Sequence, residues 1–228
     1  MGGAAPASAR RPGRARGVRA GGEAREAGKT GEAGKTGEAG KTGEAGKTGE
    51  AGSIGAVRVR PVAEEDWPRI AELEAEAYAS AALSEGREAL RSRGRASPGT
   101  CFVVEAGGRV AGYVLALPYP RFAFPDLTRP EERSFDSRNL HLHDLVVAGG
   151  LRGRGLGGRL VRHLTAVASR SSYERISLIA VGGTEGFWAG HGYRPEEGAE
   201  LPAGYGENAV YMSRPVRDDR PGGSEEGF

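Results

Sequence analysis

Between Asn139 and Val161 the chain reads N-L-H-L-H-D-L-V-V-A-G-G-L-R-G-R-G-L-G-G-R-L-V, a succession that constrains its fold more than any other stretch. Leu140, Leu142, Leu145, Val146 and Val147 favour a strand, and Ala148-Gly149-Gly150 breaks it. Arg152, Gly155 and Gly157 then form an R-x-x-G-x-G pattern that opens directly into a helix. The apolar residues of that helix, Leu156, Leu160, Leu164 and Val167, recur close to a 3.6-residue period.

A strand, a glycine-rich turn and a helix start together make an anion site. The first turn of a helix leaves backbone N–H groups without partners and carries partial positive charge. Gly153, Gly155, Gly157 and Gly158 let a diphosphate approach that backbone because no Cβ stands in the way. Arg152, Arg154 and Arg159 add fixed charge for phosphate oxygens. A glycine-rich turn is equally compatible with a plain β–α connection, so the surrounding elements have to decide.

Those elements are legible in order. Val57, Val59 and Val62 alternate with arginines into Pro61, which predicts a short edge strand. Ile70, Leu73, Ala77 and Tyr78 share one face of a helix over about residues 64–79, and a weaker helical piece covers 85–93. Residues 101–105 and 110–117 predict a hairpin around Gly107-Gly108, with Gly112 marking a bulge or a close backbone approach. Cys101, placed mid-strand, is a core filler. Residues 118–138 form a long proline-bearing connection whose Tyr119, Phe122 and Phe124 either roof a substrate site or pack on the sheet. After the central helix come a strand over 175–181, a short helix over 185–191 ending at Gly192, and a last strand over 208–213. The order β-α-α-β-β-β-α-β-α-β predicts a mixed α/β domain.

Composition changes sharply near residue 55. Residues 1–22 carry five arginines and no acid, and residues 27–50 are four copies of A-G-K-T-G-E. Such repeats cannot bury enough apolar surface to offset ordering entropy, so residues 1–55 are expected to be a disordered leader. Their G-K-T triplets fail as phosphate loops: the position requiring glycine holds Glu23, Lys29, Lys35 or Lys41, and no strand precedes them. The leader reads equally as a transit peptide, a nucleic-acid arm or a solubilising tail. Residues 217–228 are expected to be a flexible tail. A formal charge of +2 gives no ground for a nucleic-acid partner, and a lone cysteine excludes an internal disulfide and a Cys-based zinc cage. With no apolar run of membrane length and no secretory signal, the expectation is a cytoplasmic protein without a membrane partner.

With R-x-x-G-x-G at the central helix and F-W-A-G-H-G-Y at 187–193, residues 56–216 resemble the GCN5-related N-acetyltransferase (GNAT) family. The resemblance implies a mixed, mostly antiparallel central sheet flanked by helices, with acetyl-CoA as cosubstrate. Its pantetheine arm would lie between the strands at Leu140–Val147 and Ile176–Val181, against Leu145, Val146 and Val147. Its diphosphate would sit on the amides of Arg152, Gly153, Arg154, Gly155, Leu156 and Gly157. In the same family a backbone N–H, here of Leu145 or Val146, stabilises the tetrahedral oxyanion.

His141-Leu142-His143 is similar to the H-L-H segment of arylalkylamine N-acetyltransferases, whose histidines relay a proton from the amine. A primary amine of pKa about 10.4 arrives protonated and cannot attack a thioester until a base near pKa 6.5 removes the proton. Strand positions i and i+2 share a face, so His141 and His143 would act together while Asp144 points to the other side. The same pair read without the resemblance is equally a structural pair, and no third ligand is placed to make a metal site, so no metal is expected. Many family members carry a tyrosine in the late helix to protonate the departing thiolate, but here Trp188 holds that position and is expected to pack against the cofactor arm. Tyr193 is the nearest substitute acid. The resemblance implies a transferase acting on a small (aryl)alkylamine or polyamine, as monomer or homodimer. A peptide N-acetyltransferase and a non-catalytic acyl-CoA binder are the alternatives.

Overall fold

The computed structural model describes residues 54–79, 83–206 and 208–216. The expectations for the leader and the C-terminal tail therefore lie outside the described residues, except at Ile54 and Gly55. Ile54 already packs against the core.

The expected strands and helices form, with adjusted ends. Valines and arginines alternate along β1 (Val57–Pro61), which sits at a sheet edge where Pro61 needs no ladder donor. After a 3-10 turn at Glu64–Asp66, α1 (Trp67–Ala77) buries Trp67, Ile70 and Leu73, and α2 (Arg87–Ala96) buries Ala89 and Leu90 beside it. Gly94 lets the two helices close up: a Cβ there would stand 2.4 Å from the Trp67 ring. The hairpin is β2 (Phe102–Ala106) and β3 (Arg109–Pro118). Next come β4 (Asn139–Val147), α3 (Leu156–Arg170), β5 (Arg175–Ala180) and the short α4 (Glu185–Ala189). A two-residue strand that the sequence did not announce, β6 (Arg194–Pro195), precedes β7 (Val210–Pro215). Cys101 lies one residue ahead of β2, fully buried, and burial pushes its thiol up to about 12.

These strands build a seven-stranded sheet in the order β1-β2-β3-β4-β5-β7-β6, antiparallel except between β4 and β5. Each face has its own core. Leu156, Leu160, Val161 and Leu164 of α3, with Trp188 and Tyr193, cover Val114, Leu140, Leu142 and Ile176. On the other face Trp67, Ile70, Leu73 and Leu90 cover Val103, Tyr113, Leu115 and Val146. Each such side chain contributes roughly 1.5–3 kcal/mol on burial, which fixes the helices to opposite faces.

Two irregularities shape the middle of the sheet. Val104 pairs with Gly112 and Glu105 with Val110, so Ala111 is an extra residue. At Gly112 both expected reasons for glycine apply, since a Cβ there would also lie 2.6 Å from the Val146 carbonyl oxygen. The second bulge falls in β4: Leu115 pairs with Asp144 and Ala116 with Leu142, leaving His143 unpaired. An extra residue resets strand alternation. The expectation that Asp144 faces away from the histidines is therefore corrected. Its carboxylate accepts hydrogen bonds from Tyr78 and Tyr113, on the α1–α2 side where His143 meets Glu85.

The parallel pair makes the opening. β4 and β5 are in register only at Asn139–Arg175, Leu140–Ile176 and His141–Ser177. Beyond that point they diverge. No helix among the described residues is long and apolar enough to cross a membrane.

Candidate active site

Where β4 and β5 part, a cleft of about 860 Å³ opens between them and runs to the start of α3. One wall is the outgoing half of β4, Leu142 to Val147; the other is Leu178, Ile179 and Val181 with Phe187 and Trp188 of α4. At its far end lie Arg152, Gly153, Gly155, Leu156, Gly157 and Gly158.

The geometry of that end follows from glycine. Gly153 and Gly155 have φ of 74° and 77°, a left-handed conformation that L side chains rarely adopt, and Gly155 caps α3. Its carbonyl accepts the first helical bond from Arg159, so the amides of Leu156, Gly157 and Gly158 in the first turn have no partner within the helix. No acidic side chain enters the first turn. A Cβ on Gly157 would come within 3.3 Å of Phe187 and 3.6 Å of Leu145, so glycine keeps the passage between them open. The Arg152 guanidinium is steadied by the Val147 carbonyl, 3.2 Å away. Exposed amides, a helix N-terminus and a fixed cation fit a diphosphate.

At the opposite end the walls turn polar. His143 Nε2 is hydrogen-bonded to Glu85, which precedes α2, and Arg93 of α2 clasps the same carboxylate. Burial alone would raise the Glu85 carboxyl; the His143 imidazole and the Arg93 guanidinium overcome it and hold Glu85 below the usual range. Arg93 is 1% exposed and also donates to the carbonyls of Asp126 and Arg129, tying the 118–138 connection to this cluster. Beside it, Glu74, Tyr78, Glu85, Leu127, His143, Asp144 and Tyr205 line a smaller side chamber. Glu74 receives Ser84 Oγ and the Glu85 amide.

Of the residues singled out in the sequence, His143, Leu145, Val146, Val147, Arg152, Gly153, Gly155, Leu156, Gly157 and Trp188 come together in the cleft lining, and Arg154 stands outside it. His141 is not in the lining. It is 1% exposed, its Nδ1 lies 3.2 Å from Ser177 Oγ, and its ring centroid is 6.5 Å from that of His143. Burial, helped by His143, lowers its pKa to about 3. The three aromatics of the connection do not roof the cleft. Tyr119 is buried and donates to Glu131, Phe122 packs on Tyr211, and Phe124 sits between His141 and Tyr205. Tyr193 is no substitute acid, because its hydroxyl is sealed in the core, has no hydrogen-bond partner and lies off the lining. Among the described residues, no group of three His, Cys, Asp or Glu side chains forms a metal cage. Tyr78 was legible only as part of a helix face, and Glu85 and Tyr205 carry no local signal of a site: Glu85 is 58 residues from the histidine it meets.

A parallel pair splayed above a glycine-opened helix is suited to an extended ligand that carries a diphosphate. The model of the acetyltransferase (GNAT) family matches residues 67–193. The chain belongs to that family, whose acyl transfer uses acetyl-CoA as cosubstrate. Solved structures show the same fold at low identity. Ard1 from Thermoplasma volcanium superposes with TM-score 0.57 at 18% identity, covering 72% of this chain and 99% of its own. The GphF GNAT-like decarboxylase in complex with isobutyryl-CoA gives TM-score 0.58 at 21%, covering 70% and 100%. N-acetylglutamate synthase from Neisseria gonorrhoeae, complexed with coenzyme A and N-acetyl-glutamate, gives 0.54 at 19%, covering 71% of this chain and 35% of its own. Comparison with curated proteins returns no significant match.

Proposed function

We propose that this acetyltransferase acts on the primary amine of a small cationic molecule, an (aryl)alkylamine or a polyamine, with His143 as general base. The observation that carries the reading is the His143–Glu85 pair, whose histidine lines both the cleft and the side chamber and whose glutamate lines the chamber. Glu74 and Glu85 give the chamber an acidic side, while Leu127, Ile179, Val181 and Tyr205 give it an apolar one. An ammonium on an apolar body suits both. With Nε2 engaged by Glu85, Nδ1 of His143 is the nitrogen that takes the amine proton. The ionised Glu85 then stabilises the imidazolium, and Arg93 keeps Glu85 ionised. The freed nitrogen attacks the thioester carbon as amides of β4 face the developing oxyanion. His141, neutral and bound to Ser177, supports the β4–β5 junction in this scheme.

A thiol-release assay with acetyl-CoA across small amines and peptides tests it. Wild type is expected to favour small primary amines. His143→Ala is expected to lose about 10²–10⁴-fold in turnover with acetyl-CoA binding kept. Preference for peptides, or an unimpaired His143→Ala, overturns the reading.

A further inference from the structure

Lysine is confined to one part of this chain. Of its 32 lysines and arginines, Lys29, Lys35, Lys41 and Lys47 are the four lysines, one in each A-G-K-T-G-E copy, and every other is arginine. The two side chains differ in what an acyl donor can do to them. A lysine amine that has lost its proton is a nucleophile, whereas a guanidinium keeps its charge to above about pH 12 and is none. The domain that carries the cleft therefore presents no side-chain amine of its own, and the repeats present four in identical settings.

Those settings suit the site. A lysine side chain is an ammonium on a four-methylene stem. The side chamber matches it with Glu74 and Glu85 on one side and Leu127, Ile179 and Val181 on the other. Ala-Gly precedes each lysine and Thr-Gly follows it, so no side chain larger than threonine lies within two positions. Backbone so thinly clothed can follow its lysine into a cleft of about 860 Å³, where bulkier flanks would meet the walls.

Chain length allows the approach. Ile54 packs against the core, and Lys47 precedes it by seven residues and Lys29 by 25. At about 3.3–3.6 Å per extended residue, these stretches span up to roughly 25 Å and 90 Å. Val59, Val104, Gly112 and Val147 pair in one row, so β1 begins at the end of the sheet where β4 finishes beside the cleft. In the order β1-β2-β3-β4 the two strands are three spacings apart, about 14 Å.

We infer that the repeat lysines are acetylated at Nζ by the same chain that carries them. The inference rests on the amine acetyltransferase reading above and adds an acceptor within the protein itself. A covalent tether holds these amines at an effective concentration on the order of millimolar, which a free peptide in dilute solution lacks.

The step balances. The lysine ammonium gives one proton to His143 Nδ1, and the nitrogen lone pair forms the C–N bond with the thioester carbon. The C–S bond breaks with its electron pair on sulfur, and the nitrogen's second proton leaves with the collapse. Of the two protons, one ends on the sulfur of free coenzyme A and one in solvent, so acetyl-CoA is the only co-reactant. Four such events move the formal charge of the chain from +2 to −2.

Intact-mass spectrometry of the full-length chain with acetyl-CoA, run beside thiol release with a small amine, tests the inference. Wild type should gain up to four acetyl groups, mapped by digestion to Lys29, Lys35, Lys41 and Lys47. The gain per chain should keep the same rate across a tenfold range of protein concentration. His143→Ala should gain them about 10²-fold more slowly, alone or mixed with wild type. A chain carrying Lys29→Arg, Lys35→Arg, Lys41→Arg and Lys47→Arg should gain none at those positions and keep its small-amine turnover. No gain in a wild type that turns over small amines overturns this inference and leaves the small-amine reading standing. So does a gain as fast in His143→Ala, or one whose rate rises with protein concentration. Gain on the repeats without small-amine turnover sustains the inference and overturns the small-molecule acceptor. A wild type that does neither overturns both.

Discussion

His141 and His143 stand two positions apart and end in opposite environments. His143, displaced by the bulge, reaches Glu85 and the cleft, while His141 is enclosed by Tyr119, Phe124 and Ser177. Enclosure without a counter-charge disfavours the imidazolium, so His141 stays neutral in the folded chain down to about pH 3, against 6.5 when exposed. Between those values the unfolded chain binds one proton that the folded chain does not, so this site removes stability as pH falls from 6.5 towards 3. The slope is about 1.4 kcal/mol per pH unit, or roughly 2 kcal/mol lost by pH 5. Urea unfolding at a series of pH values should show that fall in wild type and a shallower one in His141→Gln. Parallel curves would mean that His141 titrates normally in the fold. The sequence placed both imidazoles on one strand correctly, yet it could not separate them. Pairing register is set by the partner strand, and Glu85 is supplied from 58 residues away.

At the scale of elements, Gly112 shows what local sequence does carry. A glycine inside an otherwise apolar strand announces a bulge or a close approach, and β3 uses it for both. Gly112→Ala would press a methyl group to 2.6 Å from the Val146 oxygen, against backbone that cannot rotate away. The expected cost is about 2 kcal/mol, a fall in Tm of roughly 4–8 °C for a domain of this size. Because Val146 and Val147 also line the cleft, acetyl-CoA affinity should weaken with it. A variant as stable as wild type would mean that β3 and β4 shift apart freely. The hairpin, the glycine turn and the order of helices were legible because each rests on neighbours in sequence. The two-residue β6, the bulge at His143 and the choice between roofing and packing for Tyr119 and Phe122 were not, since each depends on partners brought in by tertiary contact.

Across the whole molecule, two cores on opposite faces of one sheet meet at the β4–β5 divergence, and the cleft is the gap they leave. Its walls come from β4, β5, α3 and α4, elements joined on that side by no ladder beyond His141–Ser177. A ligand filling the gap therefore bridges the parted ends of β4 and β5, and it binds the folded chain alone. At about one hundred times its Kd, acetyl-CoA should stabilise the chain by ~2.7 kcal/mol. That corresponds to a rise in Tm of roughly 5–11 °C. His143→Ala removes a proton acceptor and leaves the glycine turn intact, so it should keep that rise while losing turnover. Gly157→Val does the reverse of a chemical lesion. Its side chain would enter the space between Phe187, 3.3 Å from the Cβ position, and Leu145, 3.6 Å from it, closing the passage to the α3 amides. The rise should vanish in that variant while its ligand-free Tm stays near wild type, as scanning calorimetry with and without acetyl-CoA would show. A full rise in Gly157→Val would place the diphosphate elsewhere and separate the glycine turn from acyl-donor binding.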